Sequence, residues 1–153
     1  MPYPTDGEVF ELTIDGDAQE NDPMNRTFLI YEHTAVMPWR HIGKKVSGVQ
    51  TRQFKLVPLG TIDEPLSGVI EKLQSYGRIP EGQWRNAFKR TYPRADGRRT
   101  ICIADPSWID PRRGRHCYPG IYSNGDMLLN AADYPYHDDS CRWLIDVSNH
   151  IAA

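Results

Sequence analysis

Apolar positions recur along the chain with two different periods. In "EVFELTI" (8–14), Val9, Leu12 and Ile14 are interleaved imperfectly with acids, which predicts a strand. A turn-rich stretch, "DGDAQENDPMN", follows. "RTFLIYEHTAV" (26–36) is rich in β-branched and aromatic residues, and "GVQTRQFKLVPL" (48–59) sets Val49, Phe54 and Leu56 at strand-like spacings. The connection "MPWRHIGKK" between them has no period. The period then lengthens. Leu66, Val69, Ile70 and Leu73 fall at i, i+3, i+4 and i+7, predicting a helix from about Pro65 to Tyr76. Thr61 and Glu64 have capping-box spacing, Asp63 is a second candidate cap, and Gly77 stands where a C′ glycine belongs. A second helix is predicted from Glu81 to Tyr92, with Trp84 and Phe88 on one face and Pro93 as its stop.

"RRTICIA" (98–104) reads as a strand with Ile101 and Ile103 on one face and Cys102 on the other. Asn124-Gly125 signals a hairpin closed by a two-residue type I′ turn, with Pro119 and Gly120 bending the chain into its first strand. Upstream, "ADPSWIDPRRGRH" holds two Asp-Pro steps and a basic run, the pattern of an exposed connection. The tail "DDSCRWLIDVSNHIAA" opens with N-cap chemistry and places Leu144, Val147 and Ile151 on one stripe, predicting a C-terminal helix. Strands, two helices, strands and a last helix spell an α+β fold. The expected architecture is a mainly antiparallel sheet with two central helices and a C-terminal helix packed on it. Neither repeat nor linker interrupts the pattern, so residues 1–153 are expected to form a single globular domain.

Composition adds little to that picture: 39% hydrophobic and 25% charged residues in 153 suit an ordinary globular domain. The N-terminus lacks a basic and then apolar leader, and no run approaches the roughly 18 apolar residues of a membrane span. Cys102, Cys117 and Cys141 do not make a disulfide framework, so a cytoplasmic, reducing location without membrane contact is expected. Charge is more telling. The net value is only −2, yet residues 1–33 carry eight acids against one base, and residues 85–115 carry nine bases against three acids. Such blocks either neutralise each other in the fold or present a basic face to an anionic partner.

Candidate chemistry gathers around residues 108–141. Cys117 has Arg112, Arg113 and Arg115 near it in sequence to favour a thiolate, and His116, His137 or His150 as a base. His137 and Cys141 have the i, i+4 spacing of a zinc pair on a helix, with His116 and Cys117 as further ligands. No phosphate-cradling glycine motif is present, and no cofactor is expected. The basic segment 85–115, interleaved with Trp84, Phe88, Tyr92 and Trp108, suggests a nucleic-acid surface, against which the pI of 6.2 weighs. Proline-flanked aromatics, Pro38-Trp39, Tyr118-Pro119 and Tyr134-Pro135-Tyr136, fall in predicted loops and suit an interface.

One short stretch has a counterpart elsewhere. "YPGIYSNGDMLL" resembles the H-P-N-[IV]-Y-x-x-G-x-[IV]-C-L segment of ubiquitin-conjugating enzymes, with Pro119, Ile121, Tyr122, Gly125 and Leu129 in register. The family's histidine is Tyr118 here, its asparagine is Gly120 and its nucleophilic cysteine is Leu128. The resemblance covers twelve residues and implies at most a variant without the catalytic thiol, so no activity is carried over.

The expectation is a small binding or interaction protein without catalytic activity. Trp108, Arg112, Arg113, Arg115, Tyr118 and Tyr122 would face an acidic protein partner or a second copy of the chain. One alternative is a small thiol-dependent hydrolase or transferase using Cys117 with a histidine. The other is a nucleic-acid-binding module acting through residues 85–115.

Overall fold

Alternating side chains build one continuous sheet. The computed structural model describes residues 1–21, 40–109 and 114–148. Its strands are β1 (Phe10–Asp15), β2 (Arg40–His41), β3 (Val49–Pro58), β4 (Thr100–Cys102), β5 (Trp108–Ile109), β6 (His116–Ile121), β7 (Met127–Ala131) and β8 (Cys141–Asp146). The helices are α1 (Leu66–Leu73) and α2 (Trp84–Thr91), with a 3-10 turn at Gln19–Asn21. The eight strands run in the order β1-β3-β8-β4-β6-β5-β2, and β7 also pairs with β6. The sheet is mixed, because β4 and β8 run parallel while the other pairs are antiparallel.

Each face of this sheet carries one helix. Phe54 and Leu56 of β3, Ile101 of β4 and Leu144 of β8 share a cluster with Trp84, Ala87 and Phe88 of α2. The intervening Val57, Cys102, Trp143 and Ile145 pack with Leu66, Val69 and Leu73 of α1 on the opposite face. Central strands covered on both sides need apolar residues at every position, which is why "TICIA" and "WLI" are unbroken runs. β1 lies at the edge with one covered face. Phe10, Leu12 and Ile14 point inward there, while Val9 just before the strand is exposed.

Several expectations are corrected. Residues 141–146, which the sequence pattern places in a C-terminal helix, are instead strand β8, between β3 and β4. Among the described residues the molecule is therefore mostly sheet with two short helices, and not the expected α+β arrangement of two central helices with a third running through residues 141–146. Leu144 and Val147 match a helical stripe, but a short apolar run with both faces buried fits either period. The first helix ends at Leu73 rather than Tyr76 and begins after Pro65, without a side-chain cap from Thr61 or Asp63. Glu64 instead pairs with Lys72 at 3.2 Å. The Asn124-Gly125 turn is a three-residue loop rather than two: the Gly125 N–H donates to Tyr122 O at 2.8 Å and Tyr122 pairs with Asp126. Gly125 alone takes a positive φ, +95°, as in three-residue loops closed by a glycine bulge.

The supposedly exposed "ADPSWID" contributes β5, in which Trp108 and Ile109 are buried. Pro119 lies inside β6 where that strand changes neighbour from β5 to β4, and its carbonyl accepts from Ile103 N–H at 3.0 Å. The predicted strand 26–36 lies outside the described residues, as do residues 149–153 of the predicted terminal helix. Among the described residues, no helix is long and apolar enough to cross a membrane.

Candidate functional site

The parallel register of β4 and β8 sets the floor of the site. Thr100 stands across from Cys141 and Cys102 across from Trp143, so Cys102 and Cys141 share a face on neighbouring strands. β6 alternates its side chains and sends Tyr118 to that same face. After β7 the chain folds back over it. His137 forms two main-chain hydrogen bonds with Ile62, at 2.8 and 2.9 Å, and Ala132 O accepts from Leu66 N–H at 2.9 Å. The segment 132–140 is thereby pinned to the start of α1.

Within this frame the His137 ring is buried against Trp143, edge to face at 5.4 Å, and its Nδ1 lies 3.2 Å from the Tyr118 hydroxyl. Burial pushes the His137 pKa down, outweighing the Glu64 main chain and Asp138, which favour the charged form. Burial pushes the Tyr118 phenol up, as do the nearby thiols. Both are therefore neutral at neutral pH, and the phenol and imidazole share a hydrogen bond whose direction is set by the imidazole tautomer. The pair is an uncharged polar wall of the cleft.

The two thiols are unequal. A hydrogen bond with Cys141, complete burial and the charges around it raise the Cys102 thiol well above its ordinary value. That same hydrogen bond lowers Cys141, against the opposing effects of its burial and Asp138. The buried Cys102 is thus the harder of the two thiols to ionise.

Above this floor is a cleft of about 460 Å³. Tyr122, Tyr134 and Tyr136 stand around it, 42%, 57% and 44% exposed, and Asn130 and Asp138 add polar groups. Three large exposed apolar side chains in one place form a patch rather than scatter. Among the described residues lining the cleft there is no lysine or arginine, and Asp138 is the formally charged one.

Tyr118, Tyr122, His137 and Cys141 are thus brought together from the sequence-predicted set. The others are dispersed. Cys117 is buried on the other face beside Trp108, with its thiol 3.8 Å from Arg115 O. His116 is exposed, its Nδ1 3.1 Å from Pro106 O. No Cys117–His137 couple is assembled, because β6 separates the two by a face. Arg115 pairs with Asp133 at 2.7 Å and lines a separate depression with His116 and Ile70. Trp108 is fully buried, with the His41 ring at 4.7 Å. Arg112, Arg113 and His150 lie outside the described residues.

The zinc reading fails at its premise, since residues 137–141 are not helical. Among the described residues, no three His, Cys, Asp or Glu side chains are grouped to hold a metal ion. The basic segment is largely engaged as well. Arg85 is buried in the core, donating to Leu128 O at 2.7 Å, and burial pulls its pKa down to about 9. Arg99 meets Asp96 and Asp6, and Arg90 meets Glu20.

The sequence pattern did not place Cys102 or Asn130 at the site, and it marked Tyr134 and Tyr136 as interface aromatics without joining them to it. The Tyr134-Pro135-Tyr136 triplet carried a usable signal, rigid aromatics in a loop, whereas Cys102 becomes a neighbour of Cys141 only through the β4·β8 register. Comparison with protein-family models, curated proteins and solved structures returned no match.

Proposed function

We propose that the protein is a binding module whose cleft receives a basic side chain from a protein partner. The observation that carries this reading is the lining: three exposed tyrosine rings around one cleft, with Asp138 its charged residue and no cation among the described lining. Tyrosine faces attract an ammonium or guanidinium by about 0.5–1 kcal/mol when exposed and about 2 kcal/mol when desolvated. A volume of about 460 Å³ suits one long side chain or a small molecule. The neutral Tyr118–His137 wall adds hydrogen-bonding capacity without repelling a cation. This reverses the charge of the partner expected from the basic loop: Arg115 is engaged with Asp133, and the cleft itself carries the acid.

The test is a titration of the isotope-labelled protein with N-acetyl-arginine amide and, separately, N-acetyl-glutamate amide, read by amide chemical shifts. The arginine probe is expected to give saturable shifts centred on residues 130–141, with Tyr134→Ala weakening it about two- to fivefold. Equal or stronger binding of the glutamate probe, or shifts centred elsewhere, refutes the reading.

A further inference from the structure

Independently of any ligand, the structure points to a modification site in the floor of the cleft. We propose that Cys102 and Cys141 are a peroxide-responsive dithiol that is oxidised reversibly to a disulfide. The two residues stand on adjacent parallel strands, offset by two positions and on the same face, and both line the same cavity. Both are free thiols. The third thiol, Cys117, is on the other face of the sheet and has no access to them. The pair is also asymmetric in the way stepwise oxidation requires. Cys141 is half-buried at the cleft, where an oxidant meets it first, and Cys102 is buried on the neighbouring strand.

The chemistry balances with hydrogen peroxide as the oxidant. The Cys141 thiolate attacks one peroxide oxygen, an S–O bond forms, the O–O bond breaks, and the departing hydroxide takes up a proton to become water. The Cys102 sulfur then attacks the resulting sulfenic sulfur. An S–S bond forms, the S–O bond breaks, and the released hydroxide leaves as water with the Cys102 proton. Two thiols are oxidised and one peroxide is reduced to two waters. A dithiol reductant reverses the step by exchange.

The folded protein should be treated with one equivalent of hydrogen peroxide, quenched, alkylated under denaturing conditions and analysed by intact mass and peptide mapping. The expected product has lost two alkylatable thiols, is about 2 Da lighter before alkylation, and carries a linked Cys102–Cys141 peptide pair with Cys117 alkylated. Dithiothreitol should restore all three thiols. The Cys102→Ala variant should stop at a sulfenic acid on Cys141, trapped by a cyclic 1,3-dione, which reads the order of events without needing the disulfide. A link involving Cys117, oxidation of Cys141 to sulfinic acid in the wild type without linkage, or retention of all three thiols overturns the proposal. None of these outcomes depends on whether the cleft binds a basic side chain.

Discussion

At the scale of single residues, Asp146 shows how a buried charge is made tolerable. It closes β8 with its side chain almost wholly out of solvent. Arg78 Nη2 donates to it at 2.8 Å, Arg52 Nη1 at 3.0 Å and the Ser148 N–H at 2.9 Å. Burial alone would raise its pKa, but these donors outweigh burial and hold the carboxyl below its ordinary value. A depressed folded-state pKa gives stability that is fully present above the unfolded value of about 3.9 and is lost as pH falls through the folded value. Breaking a fully buried pair costs about 3–5 kcal/mol. Arg52 and Arg78 are partly exposed and can rehydrate, so Asp146→Asn is expected to cost about 2 kcal/mol at pH 7. Urea unfolding of both proteins across pH checks this. The gap should close as the wild-type carboxyl protonates in acid, and a gap independent of pH would mean that the loss is one of packing.

At the scale of elements, the approach of the α2 entry to the sheet is set by one glycine. Gly82 precedes α2 and donates its N–H to Asp105 at 2.7 Å. A Cβ at this position would lie 2.3 Å from the Trp108 ring and 2.8 Å from Pro119. Gly82 has no left-handed φ, so alanine meets no backbone strain there. The expected cost of Gly82→Ala is steric alone, about 1–3 kcal/mol. Thermal unfolding should register it, and a neutral result would show that the Trp108 ring moves freely. That close contact was not legible in the sequence, where Trp108 reads as an exposed loop residue between two Asp-Pro steps. Elements with one buried face were legible: α1 follows a 3.6-residue period, and β1 sets Leu12 and Ile14 inward between polar residues. β8 was not, because burial on both faces erases the alternation that separates strand from helix. The cleft was legible only in part. Tyr118, Tyr122, His137 and Cys141 are close in sequence, but Cys102 joins them through a parallel pairing that no local pattern encodes.

At the scale of the whole molecule, the opposing charge blocks of the sequence are used inside the fold. The acidic N-terminal segment supplies Asp6, which meets Arg99 at 3.2 Å and Arg142 at 2.9 Å and so ties the segment to β4 and β8. It also supplies Glu20, which meets Arg90 of α2. Arg99, sheltered in this way, is committed within the fold rather than offered to phosphates. The two links differ in environment. The Arg99 and Arg142 side chains are only 12% and 18% exposed, and they share one carboxylate, whereas Arg90 and Glu20 are 47% and 59% exposed. Hydrogen bonds to charged groups contribute about 1.5–3 kcal/mol when sheltered, while exposed ion pairs contribute about 0–1 kcal/mol. Asp6→Ala is therefore expected to lower stability by about 1–2 kcal/mol, and Glu20→Ala by less than about 0.5 kcal/mol. Denaturant unfolding at low and high salt separates the two contributions. The Asp6 effect should survive added salt, since a sheltered pair is poorly screened, and any Glu20 effect should vanish. Equal losses at both sites, both removed by salt, would mean that the N-terminal block acts through its overall charge and not through the anchor at Asp6.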